Sequence, residues 1–204
     1  MNKKFLFLIF SLTLINRNVT LLIMSGHSHW SGIKHKKGAK DAKRGVIFSK
    51  LLNAVSVAAK SEPNPQFNPR LRTAIETARE ANVPNENIER AIKKAGDKSD
   101  ALEELTIEAY GPGGAAILIE AITDSRNRTI SEIKKIILDN GCKWAEPGSV
   151  RWAFEPTGNN SHGTGGWLPK FPQALNTEDK EKLLLAIETL EEHDDVQMVY
   201  TNAN

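Results

Sequence analysis

The spacing of the apolar residues changes at Asp97–Asp100, and this change limits the chain to a fold that combines helices with a sheet. Before this point the apolar residues recur at helical intervals, with breaks at Ser61–Pro65 and at Asn82. Asn68 and Pro69, between the two breaks, are typical of an N-cap and a first helical turn. The pattern therefore predicts three short amphipathic helices that pack as a bundle.

The residues after Asp100 have the spacing and the turn residues of an α+β layer. Gly111–Gly114 separates two β-rich runs and predicts a hairpin turn rather than a phosphate loop, because a strand follows it and no Lys-Ser/Thr ending is present. The predicted order is strand, strand, helix, strand, linker, helix, strand, which gives a four-stranded sheet with two packed helices. The predicted strands are Leu105–Tyr110, Ala115–Ile122, Ser149–Phe154 and Val196–Tyr200, and the predicted helices are Thr129–Asn140 and Thr177–His193.

These patterns divide the chain into an apolar N-terminal extension (1–23), a basic arm with the three-helix domain (24–96), an α+β domain (101–156 and 167–204) and a Gly-rich linker (157–166). In the extension, Lys3 and Lys4 precede an apolar run that is shorter than the roughly 20 residues a bilayer requires. A start codon assigned upstream of Met24, a targeting segment and a membrane anchor are three explanations. We expect a cytoplasmic protein; an organellar or exported one is the alternative if the extension is a targeting signal.

Charge is distributed unevenly along the chain. Residues 24–95 carry 14 Lys and Arg against six acidic residues, whereas residues 96–204 carry 10 against 19. A basic front half joined to an acidic rear half indicates a polyanion-binding module attached to one that does not bind polyanions. The basic residues are densest in Ile33–Lys50, where seven cations occur with one acid, Asp41, at which we expect the first helix to begin.

Lysine side chains suit contact with phosphates rather than the reading of bases. We therefore expect the basic arm and the first helix to bind nucleic acid, with an affinity that falls as the salt concentration rises. An ordinary solvated basic face is the alternative. The predicted nucleic-acid contacts are Lys34, His35, Lys36, Lys37, Lys40, Lys43, Arg44, Lys50, Arg70 and Arg72.

Two further groups of polar residues allow more than one interpretation. His27, His29 and His35 have no carboxylate or Cys close in sequence, so we expect structural or phosphate-contacting roles rather than a metal site. Arg126 and Arg128 stand at a helix start, where cations oppose the helix dipole. Either these arginines contact nucleic acid or they pair with acidic residues nearby.

The sequence offers little catalytic chemistry. Cys142 has no His close in sequence and follows Gly141 at a helix end, away from the N-terminal dipole that activates thiols. The Ser, His and Asp residues form no nucleophile motif. We therefore predict a non-enzymatic protein without metal, cofactor or small-molecule substrate. The acidic residues around His193–Asp195 are expected to face away from nucleic acid or to meet a basic protein.

The motifs of the chain occur in a recognisable order. They are Gly26–Trp30, Ile33–Arg44, Ile47–Phe48, Asn68–Arg72, Pro84–Ile92, Tyr110–Gly114, Asn127–Thr129, Glu146–Val150 and Asp194–Asn202. This series resembles the YebC/PmpR family of transcriptional regulators, which includes the mitochondrial translational activator of cytochrome oxidase. The resemblance covers Met24 to about Gly158 and about Trp167 to Asn202.

The resemblance implies a non-enzymatic protein with a three-helix N-terminal domain followed by α/β domains. Most members are described as DNA-binding regulators of transcription, and some act on the ribosome or on mRNA. The chain departs from the family pattern at His29, where Lys is usual, at Ser61–Pro63, which replaces a Gly-rich turn, and at 157–166, where the family has a further α/β domain. The leading hypothesis is a DNA-binding transcriptional regulator, and the alternative is a translation factor that binds ribosomal or messenger RNA at the ribosome.

Overall fold

The computed structural model of the protein describes residues 40–95, 102–157 and 166–204. The first of these ranges, which we call the helical unit, contains α1 (Lys40–Ala59), α2 (Pro69–Glu80) and α3 (Asn85–Lys94). The three helices share one apolar interior, in which Val55, Leu71 and Ala78 are fully buried. The three predicted helices are therefore present, whereas the apolar extension and the predicted basic arm up to residue 39 lie outside the described residues.

Asn68 sets the junction between α1 and α2. Its side-chain oxygen accepts the backbone N–H of Leu71 at 3.0 Å, which is the N-cap bond that the sequence predicts. Its amide nitrogen donates to the carbonyls of Ala58 and Glu62, both at 2.7 Å. One buried side chain thus forms hydrogen bonds with backbone groups at the end of α1, in the turn after it and at the start of α2. At the other end of α2, Asn82 adopts a left-handed conformation with φ 63°.

Residues 102–157 and 166–204, which we call the sheet unit, contain six strands. These are β1 (Glu103–Tyr110), β2 (Ala116–Thr123), β3 (Lys143–Ala145), β4 (Phe154–Thr157), β5 (Gly166–Pro169) and β6 (Val196–Thr201). Four of them form an antiparallel sheet in the order β3–β1–β2–β6. β1 and β2 pair from Glu103↔Thr123 to Tyr110↔Ala116. The predicted hairpin turn lies between them, and it needs glycine at Gly113, whose φ is 65°.

Two helices, α4 (Arg126–Asp139) and α5 (Thr177–Glu191), contribute to a common core with the sheet. Ile133 of α4 and Leu190 of α5 are fully buried in a cluster with Ile117 and Ile119 of β2. Gly141, with φ 71°, follows α4 at the position expected for a left-handed helix end. Helices followed by a four-stranded sheet with two packed helices confirm the predicted α+β class.

The prediction of a strand at Ser149–Phe154 is wrong. Residues Arg151–Ala153 form a single 3₁₀ turn, and the third strand of the main sheet is β3, which the sequence pattern did not indicate. The physical reason is the buried carboxylate of Glu108, 5% exposed, which accepts the backbone N–H groups of Gly148, Val150 and Arg151. Because these amides converge on one side chain, they do not line up against a neighbouring strand.

The strands β4 and β5 form a separate antiparallel hairpin, with Thr157 opposite Gly166. Together with the 3₁₀ turn they pack through Val150 and Phe154 on Leu118 and Met198 of the main sheet. The predicted Gly-rich linker starts and ends within this hairpin, and residues 158–165 lie outside the described part.

The helical unit packs against the sheet unit through α1. Ala54 and Val57 form a small buried cluster with Ile122 of β2, against which Leu102 packs. The ammonium of Lys60 donates to the carbonyl of Leu102. Within the described ranges, no helix has both the length and the apolar character that crossing a membrane demands.

Candidate nucleic-acid interface

The structure describes only part of the predicted nucleic-acid interface. Lys34, His35, Lys36 and Lys37 lie outside the described residues, as do His27, His29 and Trp30. Lys40 and Lys43 belong to the first turn of α1, but their side chains also lie outside the description. The side chains that the structure places therefore begin at Arg44.

Arg44 lies on the exposed side of α1. Its guanidinium carbon is 5.1 Å from the ring centroid of Phe48, one helical turn further on, within the range of a cation–π contact. Phe48 is half-buried and packs against the core of the helical unit. Arg44 is thus held over the helix surface while its charged group stays in solvent, where it can meet a phosphate.

The structure places Lys50 in the interior, against the prediction that it lies on an exposed basic face. Its side chain is 7% exposed, and Nζ donates to the carbonyl of Glu191, the last residue of α5, at 2.6 Å. Burial lowers the pKa of Lys50, and the carboxylates of Asp194, Glu191 and Asp195 act in the opposite direction. A cation at a helix C-terminus is favoured by the helix dipole. Lys50 therefore joins the helical unit to the sheet unit.

The same contact gives the acidic residues at the end of α5 a basic partner within the chain. These residues were expected to face away from nucleic acid or to meet a basic protein. The carbonyl of Glu191 accepts from Lys50, and Asp194 and Asp195 lie close enough to affect the pKa of Lys50. The partner of this acidic end is thus the chain's own helix α1. The sequence gives no signal for this contact, because 141 residues separate Lys50 from Glu191.

Arg70 and Arg72 do not adjoin the basic start of α1. The contact between Asn68 and the carbonyl of Ala58 places the start of α2 at the end of α1. Arg44 stands 14 residues before Ala58, a distance of roughly 20 Å along a helix that rises 1.5 Å per residue. The two arginines are therefore separated from the main basic run by most of the length of α1.

Both of these arginines also have partners within the chain. Arg70 forms an ion pair with Glu104 of β1, in which Nη1 lies 3.2 Å from Oε2. Arg72 donates to the carbonyls of Pro65 and Gln66 at 3.3 and 3.4 Å. Their contacts assign Arg70 to the junction of the two units and Arg72 to the turn between α1 and α2.

The exposed cations of α2 and α3 beyond Arg72 were absent from the predicted interface. They stand singly or in a pair along α2 and α3, so no dense basic run marks them in the sequence. The only sequence feature that indicates their exposure is that they lie off the apolar stripe of each helix. They are Arg79, Arg90, Lys93 and Lys94.

At the start of α4, both Arg126 and Arg128 form ion pairs with acidic residues of the chain. Arg126 lies 3.3 Å from Glu103. Arg128 contacts Asp124 at 3.0 Å, Asp195 at 2.8 Å and Glu132 at 3.8 Å. Such pairs offset the unfavourable position of a cation at a helix N-terminus. The contacts hold the 124–132 segment against the turn before β6.

Asp195 is the centre of this network. Burial alone would raise the pKa of its carboxyl group, but hydrogen bonds from Thr129 and Arg128 outweigh burial and hold that pKa below its usual range. The hydroxyl of Thr129 donates to Oδ2 at 2.5 Å. The ionised carboxylate is therefore the form that the fold stabilises.

We expect Asp195→Asn to remove an acid-sensitive part of the stability. Because the folded pKa lies below the unfolded value of about 4, the carboxylate contributes stability at neutral pH and loses that contribution as pH falls through the folded pKa. In urea titrations the variant should be less stable than the unmodified protein at pH 7, and the gap should narrow below about pH 4. Asp139→Asn, at an exposed position of α4, is the control. An equal gap at pH 7 and pH 3 would contradict the assignment.

Glu132, His193 and Asp195 also bring three metal-ligating atoms within 4.8 Å of one another. The backbone N–H of Asp195 donates to Nδ1 of His193, so the neutral ring carries its proton on Nε2, which lies 3.0 Å from Glu132 Oε2. The guanidinium of Arg128 already occupies one side of the group. These contacts are those of an ion-pair network around a cation that the chain itself supplies.

Comparisons with known proteins agree with this architecture. A family model described as the TACO1/YebC protein N-terminal domain matches residues 28–98, and one described as the TACO1/YebC second and third domain matches residues 102–165. A probable transcriptional regulatory protein of Acidobacterium capsulatum is 38% identical over 235 aligned residues, covering 88% of this chain and 96% of that protein. The chain belongs to the TACO1/YebC family.

Other members of the TACO1/YebC family are similar over a shorter range. A probable transcriptional regulatory protein of Geotalea uraniireducens is 54% identical over 138 residues, which is 66% of this chain. The match spans 56% of that relative, so the chain covers little more than half of its length. A crystal structure of a conserved hypothetical protein from Aquifex aeolicus superposes with a TM-score of 0.75 at 34% identity, covering 87% of this chain and 97% of that one.

Proposed function

We propose that this TACO1/YebC member is a non-enzymatic regulator of gene expression that binds DNA through its basic N-terminal segment and the first turns of α1. The observation that carries the proposal is the separation of charge. Residues 24–95 hold 14 cations against six acids, while 96–204 hold an excess of acids. Arg44 is exposed at the start of α1, and Lys50 is withdrawn into the junction with the sheet unit. The binding surface therefore ends within the first turns of α1.

The names of the relatives support a regulatory role. The proteins of Geotalea uraniireducens and Acidobacterium capsulatum are called probable transcriptional regulatory proteins. The state of Cys142, the one thiol in the sequence, supports the proposal that the protein is not an enzyme. Cys142 is buried, and burial raises the pKa of its thiol, which favours the unreactive protonated form. A cytoplasmic location stays a prediction.

Ribosomal or messenger RNA is the second candidate partner. The observation that makes RNA compatible with the interface is the composition of the basic run, in which lysines outnumber arginines six to one between Ile33 and Lys50. Lysine contacts a phosphate as a point charge and does not read a base in the bidentate manner of arginine. A surface of this kind binds by backbone and shape, which suits ribosomal RNA as well as duplex DNA.

We also propose that residues 157–166 replace a further domain. The alignment with the Acidobacterium capsulatum protein runs over 235 positions, more than the 204 residues of this chain. Thr157 pairs with Gly166, so a short connection closes the β4–β5 hairpin at this point. Loop closure at a hairpin end costs little entropy, which makes the exchange of a domain for a short linker compatible with the fold. Contacts made by that domain would be absent from this protein.

The test of the proposed function is the salt dependence of binding to duplex DNA. The logarithm of the affinity should fall linearly with the logarithm of the salt concentration. We expect the combined variant Lys36→Glu, Lys37→Glu, Lys40→Glu and Lys43→Glu to reduce the slope by about 0.9 for each phosphate that it no longer neutralises. Fluorescence anisotropy of a labelled duplex between low and moderate salt measures the slope.

A matched control carries the same charge change on the sheet unit, at Lys134, Lys135, Lys180 and Lys182. It should leave the slope nearly unchanged. Sedimentation of the two variants with ribosomes separates the two candidate partners, because loss of co-migration in the first variant alone would favour RNA. The proposal would be wrong if both variants gave the same slope of log affinity against log salt concentration, or if the affinity did not respond to salt.

A further inference from the structure

Three aromatic side chains stand side by side on the surface of the sheet unit. Tyr110, Trp152 and Phe171 are 36%, 62% and 49% exposed. The Tyr110 hydroxyl and the Trp152 indole N–H both donate to the carbonyl of Ser149, at 2.8 and 2.7 Å. The rings of Trp152 and Phe171 have centroids 5.6 Å apart, at an interplanar angle of 45°. We call these three residues the aromatic row.

The polar atoms of Tyr110 and Trp152 have hydrogen-bond partners, while much of the ring surface of the row is in solvent. Because the indole N–H and the phenol hydroxyl already have a partner in Ser149, neither needs a hydrogen bond from a ligand. The part of Trp152 that remains exposed is thus the apolar ring surface. An exposed group of large aromatic faces is uncommon on a protein surface and marks a contact site.

The backbone fixes the positions of these rings. Glu108 accepts the N–H groups of residues on both sides of Ser149, and so holds the 3₁₀ turn that carries Trp152. On the opposite segment, the amide of Asn202 donates to the carbonyl of Phe171 at 2.9 Å. The row is therefore organised before any ligand arrives, which reduces the entropy lost on binding.

Two cations lie on the segments that carry the row. Lys170 Nζ lies 5.5 Å from the ring centroid of Phe171. Arg151 directly precedes Trp152 in the 3₁₀ turn, and its guanidinium carbon lies 4.8 Å from the ring centroid of Trp167, which is not part of the row. Both cationic residues are exposed. The same segments also expose Glu146 and Glu155, so the surface has mixed charge and differs from the strongly basic start of α1. Aromatic faces, rather than phosphate neutralisation, are the dominant feature here.

We propose that the aromatic row binds unpaired nucleotides of a single-stranded nucleic acid, with bases stacked on Trp152 and Phe171 and phosphates next to Arg151 and Lys170. Unpaired bases expose the flat faces that exposed rings can stack on, whereas a duplex hides them, so the row discriminates single strands from duplexes. The inference shares with the proposed function only the class of ligand, nucleic acid. It concerns the aromatic row and single strands, whereas the proposed function concerns the basic N-terminal segment and duplex DNA.

The test compares a labelled 15-nucleotide oligo(U), the same length of oligo(dT) and a 15-bp duplex by fluorescence anisotropy on the full chain. We expect Trp152→Leu to weaken binding of the single strands by about 5- to 100-fold, which is the loss of roughly one stacked base, and to leave duplex binding unchanged. Trp152→Phe, which keeps an aromatic face, should restore most of the affinity. Oligo(U) and oligo(dT) distinguish RNA from DNA as the source of the strand.

Leu185→Ser is the matched control, because Leu185 is 60% exposed on α5, a separate element. Circular dichroism verifies that all variants are folded, which is expected because the Trp152 ring is mostly in solvent. Equal binding by the unmodified protein, Trp152→Leu and Trp152→Phe would overturn the inference, as would a loss of equal size on the duplex. If the unmodified protein binds single strands and Trp152→Leu does not, while neither protein binds the duplex, the aromatic row stands and the proposed DNA interface fails.

Discussion

Glu108→Ala is expected to lower the free energy of unfolding by about 3–5 kcal/mol, because one buried and two partly buried backbone donors lose the same charged acceptor in one step. The carboxylate is 5% exposed, and its oxygens accept from Gly148 at 2.6 Å, Val150 at 2.7 Å and Arg151 at 3.1 Å. A charged acceptor makes these bonds stronger than neutral ones. Urea denaturation followed by circular dichroism measures the loss.

Two companion variants make this result specific. Glu108→Gln keeps one acceptor oxygen, but its amide NH₂ group faces backbone N–H donors that it cannot accept from. The loss of unfolding free energy should therefore be smaller than that of Glu108→Ala and greater than zero. Glu155→Ala removes an exposed carboxylate in the same part of the fold and should change the stability by less than about 0.5 kcal/mol. If the Glu108→Ala and Glu155→Ala losses are equal, the three hydrogen bonds do not hold the turn.

The consequences of losing Glu108 extend to the surface. Ser149, whose carbonyl accepts from Tyr110 and Trp152, lies between residues that Glu108 binds. A variant that releases this turn should therefore also release the aromatic row. Single-strand binding by Glu108→Gln is expected to weaken more than its duplex binding, for the same reason as in the Trp152 variants.

Sequence signals were sufficient wherever the structure depends on neighbours in the chain. The Asn68-Pro69 pair started α2, Gly141 ended α4 in the left-handed region, and Gly111–Gly114 closed the β1–β2 hairpin. Each of these features is decided by the conformational preferences of one to four residues. The α+β class followed because the apolar period changes from helical to strand type at one place in the chain.

The sequence failed where a distant residue decides the local structure. Val150, Trp152 and Phe154 alternate like a strand, but Glu108, about 40 residues earlier, draws the intervening amides into a turn. Lys50 was assigned to an exposed basic surface, and the carbonyl of Glu191 holds it in the interior. In both cases a hydrogen bond between residues far apart in the chain overrides the local pattern, and no period or propensity encodes such a bond.

The candidate binding surfaces differ in the same respect. A run of cations such as that in Ile33–Arg44 is visible in any single sequence, because its members lie within one short segment. The aromatic row is not visible, since Tyr110, Trp152 and Phe171 come from three segments that the fold brings together. Trp152 and Phe171 are apolar, so their place in the sequence predicts burial as readily as exposure.

Asn68→Ala should lower the free energy of unfolding by about 2–4 kcal/mol, the combined cost of a lost N-cap and of two lost hydrogen bonds to the carbonyls of Ala58 and Glu62. The side chain is 6% exposed, so water does not easily replace its bonds to Leu71, Ala58 and Glu62. Asn68→Ser keeps a capping oxygen but does not reach both carbonyls, and it should recover about 1 kcal/mol. Asn85→Ala, at the exposed first position of α3, is the control, with an expected loss below about 0.5 kcal/mol. Guanidinium denaturation of the unmodified protein and the three variants measures these free energies of unfolding. If alanine at the two positions costs the same, the junction of α1 and α2 is held by apolar packing alone, and the start of α2 does not depend on the bonds of Asn68.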